Sequence, residues 1–211
     1  MSTNSQLVCL VGRHGTTTLN QACCFRGPLD VDLDQAGIHV AHQQAAFLTD
    51  YDLYPVIFCS PKKRARHTAK IIQETTPKYH VVYNDALAPL NVGDLGGKKK
   101  TPETGRIVLE HVENPDVPFP GGESLNNFRN RVRPLLRDAI KLGITTGRPP
   151  LLEAHSSIIR EVGFVLHPEQ PEKVLVKPGG IIGIFIENGK LDARPIFKPD
   201  INNEDKAFVV S

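Results

Sequence analysis

The sequence alternates short, almost wholly apolar segments with longer segments of helical character. Residues 7–12, 55–59 and 150–154 are apolar runs of the kind found in strands that are buried on both faces of a sheet. Strands that alternate with helices along a chain predict a parallel-rich sheet covered on both faces. We therefore expect an α/β fold, a three-layer α/β/α sandwich with a mostly parallel central sheet. Ligands of such sheets bind at the carboxyl ends of the strands.

Local residues also predict where helices begin and end. Ser60 and Pro61 are typical of an N-cap followed by the first helical residue, and the helix should run to about residue 74. A longer helix is expected after Ser124, with Gly143 as its end. Pro134 lies inside that stretch and predicts a kink or a late start.

The last third of the chain is predicted to be rich in strands. After a strand at 80–83, further strands are expected at 173–176, 181–187 and 190–195. Asn188 and Gly189 separate the final two, and this dipeptide is a strong signal for a two-residue hairpin turn. A helix at 35–50 and another at 156–166 complete the alternation.

One domain is expected over residues 1–211, because no repeat, low-complexity segment or long linker divides the chain. Residues 85–122 are rich in Gly, Pro and Lys and are predicted to form an irregular excursion over the functional site, with a helix near 103–114. Residues 198–211 form a polar tail that should pack loosely.

Composition narrows the class of protein. The chain has 25 Lys and Arg against 23 Asp and Glu, and a formal charge of +2 gives no reason to expect nucleic acid or a membrane surface as partner. No apolar run approaches the roughly 18 residues that span a bilayer, and no secretory signal is visible. The cysteines lack a zinc-binding spacing and are interpreted as reduced thiols, so a cytoplasmic protein without metal or cofactor is expected. They are Cys9, Cys23, Cys24 and Cys59.

Arginine and histidine residues stand at the ends of three predicted strands. The first strand runs into Arg13, His14 and Gly15, the second is followed by Arg64 in the next helix, and the strand at 150–154 runs into His155. These ends should be neighbours on one edge of the sheet. Arginine forks bind phosphate oxygens, one neutral imidazole can attack phosphorus, and the other can donate to an oxygen. The set therefore predicts phosphoryl chemistry.

Five segments resemble, in order, the motifs of the histidine phosphatase (phosphoglycerate-mutase-like) superfamily. Residues 13–20, RHGTTTLN, resemble R-H-G-x-[ST]-x-x-N, and residues 60–69 resemble S-x-x-x-R-A-x-Q-T-A. Residues 27–37 are similar to G-x-x-D-x-P-L-[ST]-x-x-G, with Asp32 in place of Pro. Residues 120–124 match P-G-G-E-S, and residues 153–156 stand where the family has its second histidine. The matches extend from residue 7 to about residue 186.

The resemblance implies a role for each matched residue. His14 would accept the phosphoryl group, while Arg13, Arg64 and His155 would bind its oxygens and stabilise the transition state. Water would then hydrolyse the phosphohistidine without a metal. Glu123 is expected to shape the pocket rather than to transfer protons. The further substrate-binding positions implied are Gly15, Thr16, Asn20 and Ser156.

One departure from the family pattern concerns the general acid. Many members carry a Glu at the position that Pro89 occupies here, and proline cannot donate a proton. Two interpretations remain open. Asp94 or Asp85 supplies the acid from a shifted position, although either also fits a turn residue. Otherwise the leaving group departs readily without protonation, as imidazole, phenol or phosphate would.

We expect a metal-independent phosphatase that acts on a phosphomonoester or a phosphohistidine, in a phosphorylated small molecule or a phosphoprotein. One alternative is a phosphoglycerate-type mutase, which would have to protonate sugar oxygens. Another is a phosphate-binding module without catalytic activity. Lys98, Lys99 and Lys100 could attract an anionic substrate or form a solvated loop. The sequence leaves the oligomeric state open.

Overall fold

The central sheet of the protein has six strands. The computed structural model describes residues 5–200 of the 211-residue chain. In this part of the chain the strands are β1 (Ser5–Arg13), β2 (Val56–Cys59), β3 (His80–Tyr83), β4 (Leu151–Ala154), β5 (Ile181–Glu187) and β6 (Lys190–Phe197). Their order in the sheet is β3-β2-β4-β1-β5-β6. β1 to β4 are joined by parallel pairings, and β5 and β6 are added antiparallel at one edge. The prediction of an α/β fold with a mostly parallel sheet is confirmed.

Helices cover both faces of the sheet. The helices are α1 (Thr18–Gln21), α2 (Gln35–Leu48), α3 (Lys63–Thr75), α4 (Pro102–Glu113), α5 (Leu125–Thr146) and α6 (Ser156–Leu166). α2 and α3 enclose one hydrophobic core together with Leu10 and Leu151, while α5 and α6 enclose the other together with Val11 and Leu152. Consecutive residues of β1 and β4 thus face opposite cores, because side chains alternate along a strand. The predicted three layers are confirmed.

Two helix boundaries differ from the predictions. α3 begins at Lys63 with Lys62 as its N-cap residue, and the Ser60 hydroxyl forms a hydrogen bond elsewhere in the fold instead of capping the helix. α5 continues past Gly143 and ends before Gly147, which adopts a left-handed conformation with φ of 67°. A Cβ at position 143 would lie 1.8 Å from the Val8 carbonyl oxygen, so this glycine permits close packing of α5 on β1.

Pro134 does not delay the start of α5, which begins at Leu125 and contains the proline. Residues 173–176 do not form a strand. A short 3-10 helix occupies Pro171–Val174, and Val174 and Val176 are buried against the core of α5 and α6. The apolar residues 174–176 fit a buried strand and this buried turn equally well. The Asn188–Gly189 hairpin turn is present, with φ of 51° and 76°.

The excursion between β3 and α5 is folded. Besides α4 and two 3-10 helices at Asp85–Leu87 and Gly93–Leu95, it has a small core built on Val92, Leu95 and Phe119. The Phe25 N–H donates to the Lys98 carbonyl oxygen at 2.9 Å, which fastens the excursion to the loop after α1. The predicted tail extends from residue 198 into residues 201–211, which lie outside the described residues. Within residues 5–200 no helix has the length and apolar character needed to cross a membrane.

Candidate active site

Two histidines lie side by side at the carboxyl ends of the two central strands. In the register of β1 and β4, Arg13 is opposite Ala154, so that His14 and His155 follow at the same edge of the sheet. The two imidazole rings are 5.1 Å apart between centroids, at 61° to each other. Both are buried, with 0% and 2% of their surface exposed. The predicted convergence of strand ends therefore occurs, and it encloses two titratable groups.

His14 has a defined proton position. Its Nδ1 lies 2.6 Å from the Gly15 carbonyl oxygen, which can only accept, so Nδ1 carries the proton and Nε2 carries the lone pair. Nε2 is buried without a hydrogen-bond partner in residues 5–200. Burial, and then the charges of Arg64 and His155, hold the pKa of His14 well below its ordinary value. The ring is therefore a neutral nucleophile at physiological pH.

The second imidazole, His155, is hydrogen-bonded to a hydroxyl group. Its Nε2 lies 2.7 Å from the Ser60 hydroxyl oxygen, which itself accepts from the Lys62 N–H at 3.4 Å. A Ser60 hydroxyl that donates to Nε2 leaves the ring proton on Nδ1, which is buried and lacks a partner in the described chain. Burial, then Arg64 and then Arg26, hold the pKa of His155 well below its usual range.

Arg64 is the most deeply buried cation of the site, with 1% of its surface exposed. Nη1 donates to the Leu29 carbonyl oxygen at 2.7 Å and Nη2 donates to the Gly27 carbonyl oxygen at 3.4 Å, which orients the guanidinium. Burial, and then the neighbouring charge of Arg26, lower its pKa to about 10, so it remains charged at neutral pH. From β1, the Arg13 Nη1 donates to the Val176 carbonyl oxygen at 2.6 Å.

Gly15 and Thr16 form hydrogen bonds with other segments of the chain. The Gly15 N–H donates to the Thr68 hydroxyl at 3.2 Å, and a Cβ on Gly15 would lie 2.3 Å from the Gly37 carbonyl oxygen. The Thr16 hydroxyl donates to Asp34 at 2.6 Å. These contacts hold the loop after β1 against the start of α2, which places His14.

Asn20 and Ser156 lie farther along the two loops. The Asn20 side-chain oxygen accepts from both the N–H and the hydroxyl of Thr17, at 3.1 and 3.0 Å, and so caps α1. Ser156 is the first residue of α6 and is half-buried. Its N–H belongs to the helix N-terminus that follows His155, where backbone donors favour anions.

Asp85 and Asp94, the predicted candidates for the general acid, are both exposed, and neither is hydrogen-bonded to His14 or His155 in the described chain. Asp85 lines a cavity of about 250 Å³ next to the site. Asp94 lies on the 3-10 helix Gly93–Leu95, and its N–H donates to the Pro120 carbonyl oxygen at 2.9 Å. The cavity is lined by Pro28, Lys62, Asp85, Ala88, Pro89, Asn91, Glu123 and Arg131.

Glu123 forms an ion pair in the wall of this cavity. Its Oε1 accepts from the Arg131 Nη2 at 2.6 Å and from the Asn91 N–H at 2.8 Å. The same arginine donates to the carbonyl oxygens of Ala86, Ala88 and Pro89 at 2.8 to 3.0 Å. Arg131 thus clamps the segment that contains Pro89, whose ring is buried.

Four further residues near the site were not assigned there from the sequence. Ser60 was interpreted as a helix cap, although its place at the start of the motif at residues 60–69 was a signal that it belongs to the site. Arg26 directly precedes the motif at residues 27–37, and its charge lowers the pKa of both histidines and of Arg64. The charge of Lys62 lowers the pKa of His155, and the charge of Arg160 lowers the pKa of Lys100. In residues 5–200 no three His, Cys, Asp or Glu side chains are grouped as metal ligands.

Glu153 is a fully buried carboxyl group, in β4 between Gly12 of β1 and Cys59 of β2. Its Oε2 accepts from the Gln44 Nε2 at 3.1 Å, whereas the Oε1 atoms of both side chains lack a partner in the described residues. Burial raises the pKa of Glu153 well above its ordinary value, against the smaller effect of the Gln44 hydrogen bond. A proton on Glu153 would also supply a donor to this pair of acceptors.

We expect the stability of the wild type relative to Glu153→Gln to fall as pH rises. The unfolded carboxyl has a pKa of about 4.3, so stabilisation by the proton is full below that pH and is lost as pH rises through the raised folded pKa. Urea unfolding at about pH 5, 7 and 9 measures this difference. Glu74→Gln, at an exposed site beside Lys70, is the control and should give a constant difference over that range. A constant difference for Glu153→Gln would contradict the assignment.

Comparison with known families gives a match over most of the chain. The family model described as histidine phosphatase superfamily (branch 1) matches residues 8–174. A 2,3-bisphosphoglycerate-dependent phosphoglycerate mutase of Cytophaga hutchinsonii is 33% identical over 174 residues, which cover 79% of this chain and 80% of that protein. The enzyme of the same name from Rhizobium rhizogenes is 33% identical over 170 residues, 77% of this chain and 81% of its own.

Solved structures share the fold at lower identity. A mycobacterial glucosyl-3-phosphoglycerate phosphatase superposes with a TM-score of 0.73 at 21% identity, covering 94% of this chain and 100% of its own. A phosphoglycerate mutase from Bacillus anthracis superposes with a TM-score of 0.73 at 19% identity, covering 92% and 93%. The fold is thus shared by proteins named as phosphatases and by proteins named as mutases.

Proposed function

Because the chain belongs to the histidine phosphatase superfamily (branch 1), we propose that it is a metal-independent phosphatase that works through a phosphohistidine on His14. The substrate would be a phosphomonoester or a phosphohistidine, carried by a small molecule or by a protein. The single observation that carries the proposal is the orientation of His14. Its Nδ1 donates to a carbonyl oxygen, so that the buried Nε2 offers a lone pair among cationic donors.

In the first step of the proposed reaction, Nε2 of His14 attacks phosphorus, a P–N bond forms, and the bond to the leaving oxygen breaks. The Nδ1–H···O=C bond to Gly15 stabilises the positive charge that develops on the ring. Arg64 and the His155 Nδ1–H would bind the phosphoryl oxygens, and Arg13 would add a further positive charge. These donors are held before substrate arrives, so little reorganisation is needed as charge develops.

In the second step, water attacks the phosphorus of the phosphohistidine, the P–N bond breaks, and its electron pair returns to Nε2 of His14. The water proton leaves with the phosphate or passes to solvent. The imidazole is then neutral again, as its lowered pKa requires. The cycle needs no residue beyond those that bound the phosphoryl group in the first step.

Pro89 supports hydrolysis over phosphoryl exchange. A mutase must protonate and deprotonate sugar oxygens in each cycle, and Pro89 offers no proton at the position where the family has its acid. A mutase nevertheless remains the second candidate, because the curated relatives at 33% identity bear that name. Asp85 borders the cavity beside Pro89 and would be its acid.

Two assays separate these candidates. We expect the wild type to hydrolyse p-nitrophenyl phosphate in the presence of EDTA, because nitrophenolate leaves without protonation. We also expect no interconversion of 3-phosphoglycerate and 2-phosphoglycerate that depends on added 2,3-bisphosphoglycerate. Such interconversion, lost in Asp85→Asn, would establish the mutase instead. Tight binding of phosphate esters without turnover of any activated ester would show that the protein is a phosphate-binding module without catalytic activity.

A further inference from the structure

The leaving oxygen has no donor assigned to it in the first step of the proposed reaction. Arg64 and His155 would bind the phosphoryl oxygens, whereas Pro89 cannot donate a proton. Negative charge develops on the leaving oxygen as its bond to phosphorus breaks, and a cation held beside it would stabilise the transition state. Such a cation should lie on the wall of the cavity that Pro89 lines, because the leaving group needs space next to the site.

Four ionisable side chains line this cavity, and they differ in what they can offer an oxygen that becomes negative. Glu123 and Arg131 are bound to each other at 2.6 Å. Asp85 is exposed, and as a carboxylate it only accepts hydrogen bonds. Lys62 is half-buried and forms no ion pair within residues 5–200. Of the four, Lys62 is therefore the cation that could bind a leaving oxygen.

The Lys62 side chain is held next to the guanidinium of Arg64. Lys62 is the N-cap residue of α3, two positions before Arg64. Its Nζ donates to the Pro28 carbonyl oxygen at 2.9 Å. The carbonyl oxygens on either side of it in the chain, those of Gly27 and Leu29, accept from Arg64. The ammonium is thus bound to the peptide unit between the two that orient the guanidinium.

The main chain of Lys62 is linked to the second histidine. Its N–H donates to the Ser60 hydroxyl oxygen at 3.4 Å, and that oxygen lies 2.7 Å from Nε2 of His155. The charge of Lys62 contributes to the lowered pKa of His155, which agrees with this proximity. Lys62 therefore borders the histidine pair on one side and the cavity on the other.

The Lys62 ammonium also has donors that the described chain does not use. An ammonium carries three N–H groups, and one hydrogen bond, to Pro28, is formed within residues 5–200. The flexible four-carbon stem lets the remaining N–H groups turn toward an oxygen in the cavity. A ligand oxygen could therefore be bound without breaking the bond that positions the side chain.

We propose that Lys62 is a further catalytic residue, whose ammonium donates a hydrogen bond to the leaving oxygen of the substrate. This proposal rests on the phosphohistidine mechanism proposed above. As the P–N bond to Nε2 of His14 forms, the P–O bond breaks and the leaving oxygen keeps the electron pair. Lys62 stabilises that negative charge while keeping its own proton, and the oxygen takes a proton from solvent after it has left. Leaving groups of moderate basicity, such as phenols, are then released despite Pro89.

Aryl phosphates whose leaving groups differ in basicity test this role. Lys62→Met removes the charge and keeps the aliphatic stem. Measured in EDTA, we expect it to lower kcat/KM for phenyl phosphate by about tenfold or more, the effect of one charge-assisted hydrogen bond. The value for p-nitrophenyl phosphate should fall less than about threefold, because nitrophenolate spreads its charge into the nitro group. p-Cyanophenyl phosphate, with a leaving group of intermediate basicity, should show an intermediate loss.

Two further variants separate the charge from the structural contact. Lys62→Arg keeps a positive charge and should restore most of kcat/KM for phenyl phosphate. Lys63→Met is the matched control, since Lys63 is the exposed neighbour and should leave all three values unchanged. The three esters are compared within one variant, so a partial loss of folded protein lowers their values equally and does not alter their ratios.

Several outcomes would overturn the proposal. An equal fall in kcat/KM for all three esters would confine Lys62 to holding the loop that contains Pro28, and no fall would exclude it from the reaction. A loss that grows with basicity in Asp85→Asn, but not in Lys62→Met, would assign the leaving oxygen to Asp85. Each of these results leaves the phosphatase standing, because the esters are still hydrolysed. Failure of the wild type on every ester would overturn the phosphatase and this proposal together.

Discussion

Replacing His14 with asparagine is expected to lower kcat for p-nitrophenyl phosphate by at least about 10⁴-fold. Asparagine is similar in size and can still donate to the Gly15 carbonyl oxygen, but its amide cannot attack phosphorus. The reaction would lose its covalent intermediate and retain only the electrostatic effect of the surrounding donors. Intact-protein mass spectrometry after an alkaline quench should find one added phosphoryl group in the wild type and none in the variant.

The control for this substitution is His42→Asn, which changes an exposed histidine of α2 and should leave kcat unaltered. Urea unfolding of both variants checks that the fold persists, because His14 is buried and His42 is not. Residual activity of His14→Asn within tenfold of the wild type would show that another group attacks phosphorus. In that case the orientation of the ring by Gly15 would have no catalytic meaning.

The architecture and the central residues of the site could be predicted because they depend on short-range patterns. Buried strands are continuous apolar runs, and in a parallel sheet their carboxyl ends share one edge. This geometry places the residues after β1 and β4 at one edge, and the pairing of these two strands in the structure makes them neighbours. His14 and His155 are accordingly found 5.1 Å apart between ring centroids, although 141 positions separate them along the chain.

Features that depend on the partner across a contact could not be read from the local sequence. Ser60 followed by proline has the appearance of a helix cap, and only the adjacency of β2 and β4 turns its hydroxyl toward His155. Gly143 has the appearance of a helix end, and only the packing of α5 on β1 requires a glycine there. Glu153 follows two leucines in an apolar strand, but nothing local identifies Gln44 as its partner.

The lysine run at 98–100 is a feature for which the sequence left two interpretations open, attraction of an anionic substrate or a solvated loop. Lys100 belongs to a run of three lysines in which no local property distinguishes one from another. Its position is fixed by the pairing of residues 98–100 with residues 23–25, a contact between two irregular segments. Such pairings have no periodic signature, so the place of Lys100 beside residues 23–25 became apparent only in the fold.

Arg64→Lys is expected to lower kcat by about 10² to 10³-fold, the usual effect of removing one oriented donor from a transition state. Lysine keeps the positive charge but lacks the planar fork that donates to the Leu29 and Gly27 carbonyl oxygens while presenting further N–H groups to a phosphoryl oxygen. The loss should fall on kcat with p-nitrophenyl phosphate, and the affinity for inorganic phosphate should also decrease.

The matched control is Arg66→Lys, two residues along the same helix. Arg66 is exposed, with its guanidinium 4.9 Å from the centroid of the Tyr83 ring, so the substitution should change kcat less than twofold. Because Arg64 also orders the loop that contains Arg26, urea unfolding must accompany the kinetics. A variant that unfolds at the wild-type midpoint yet loses kcat places the arginine on the reacting phosphoryl group. A variant that loses stability and keeps kcat once folded would confine Arg64 to holding the loop.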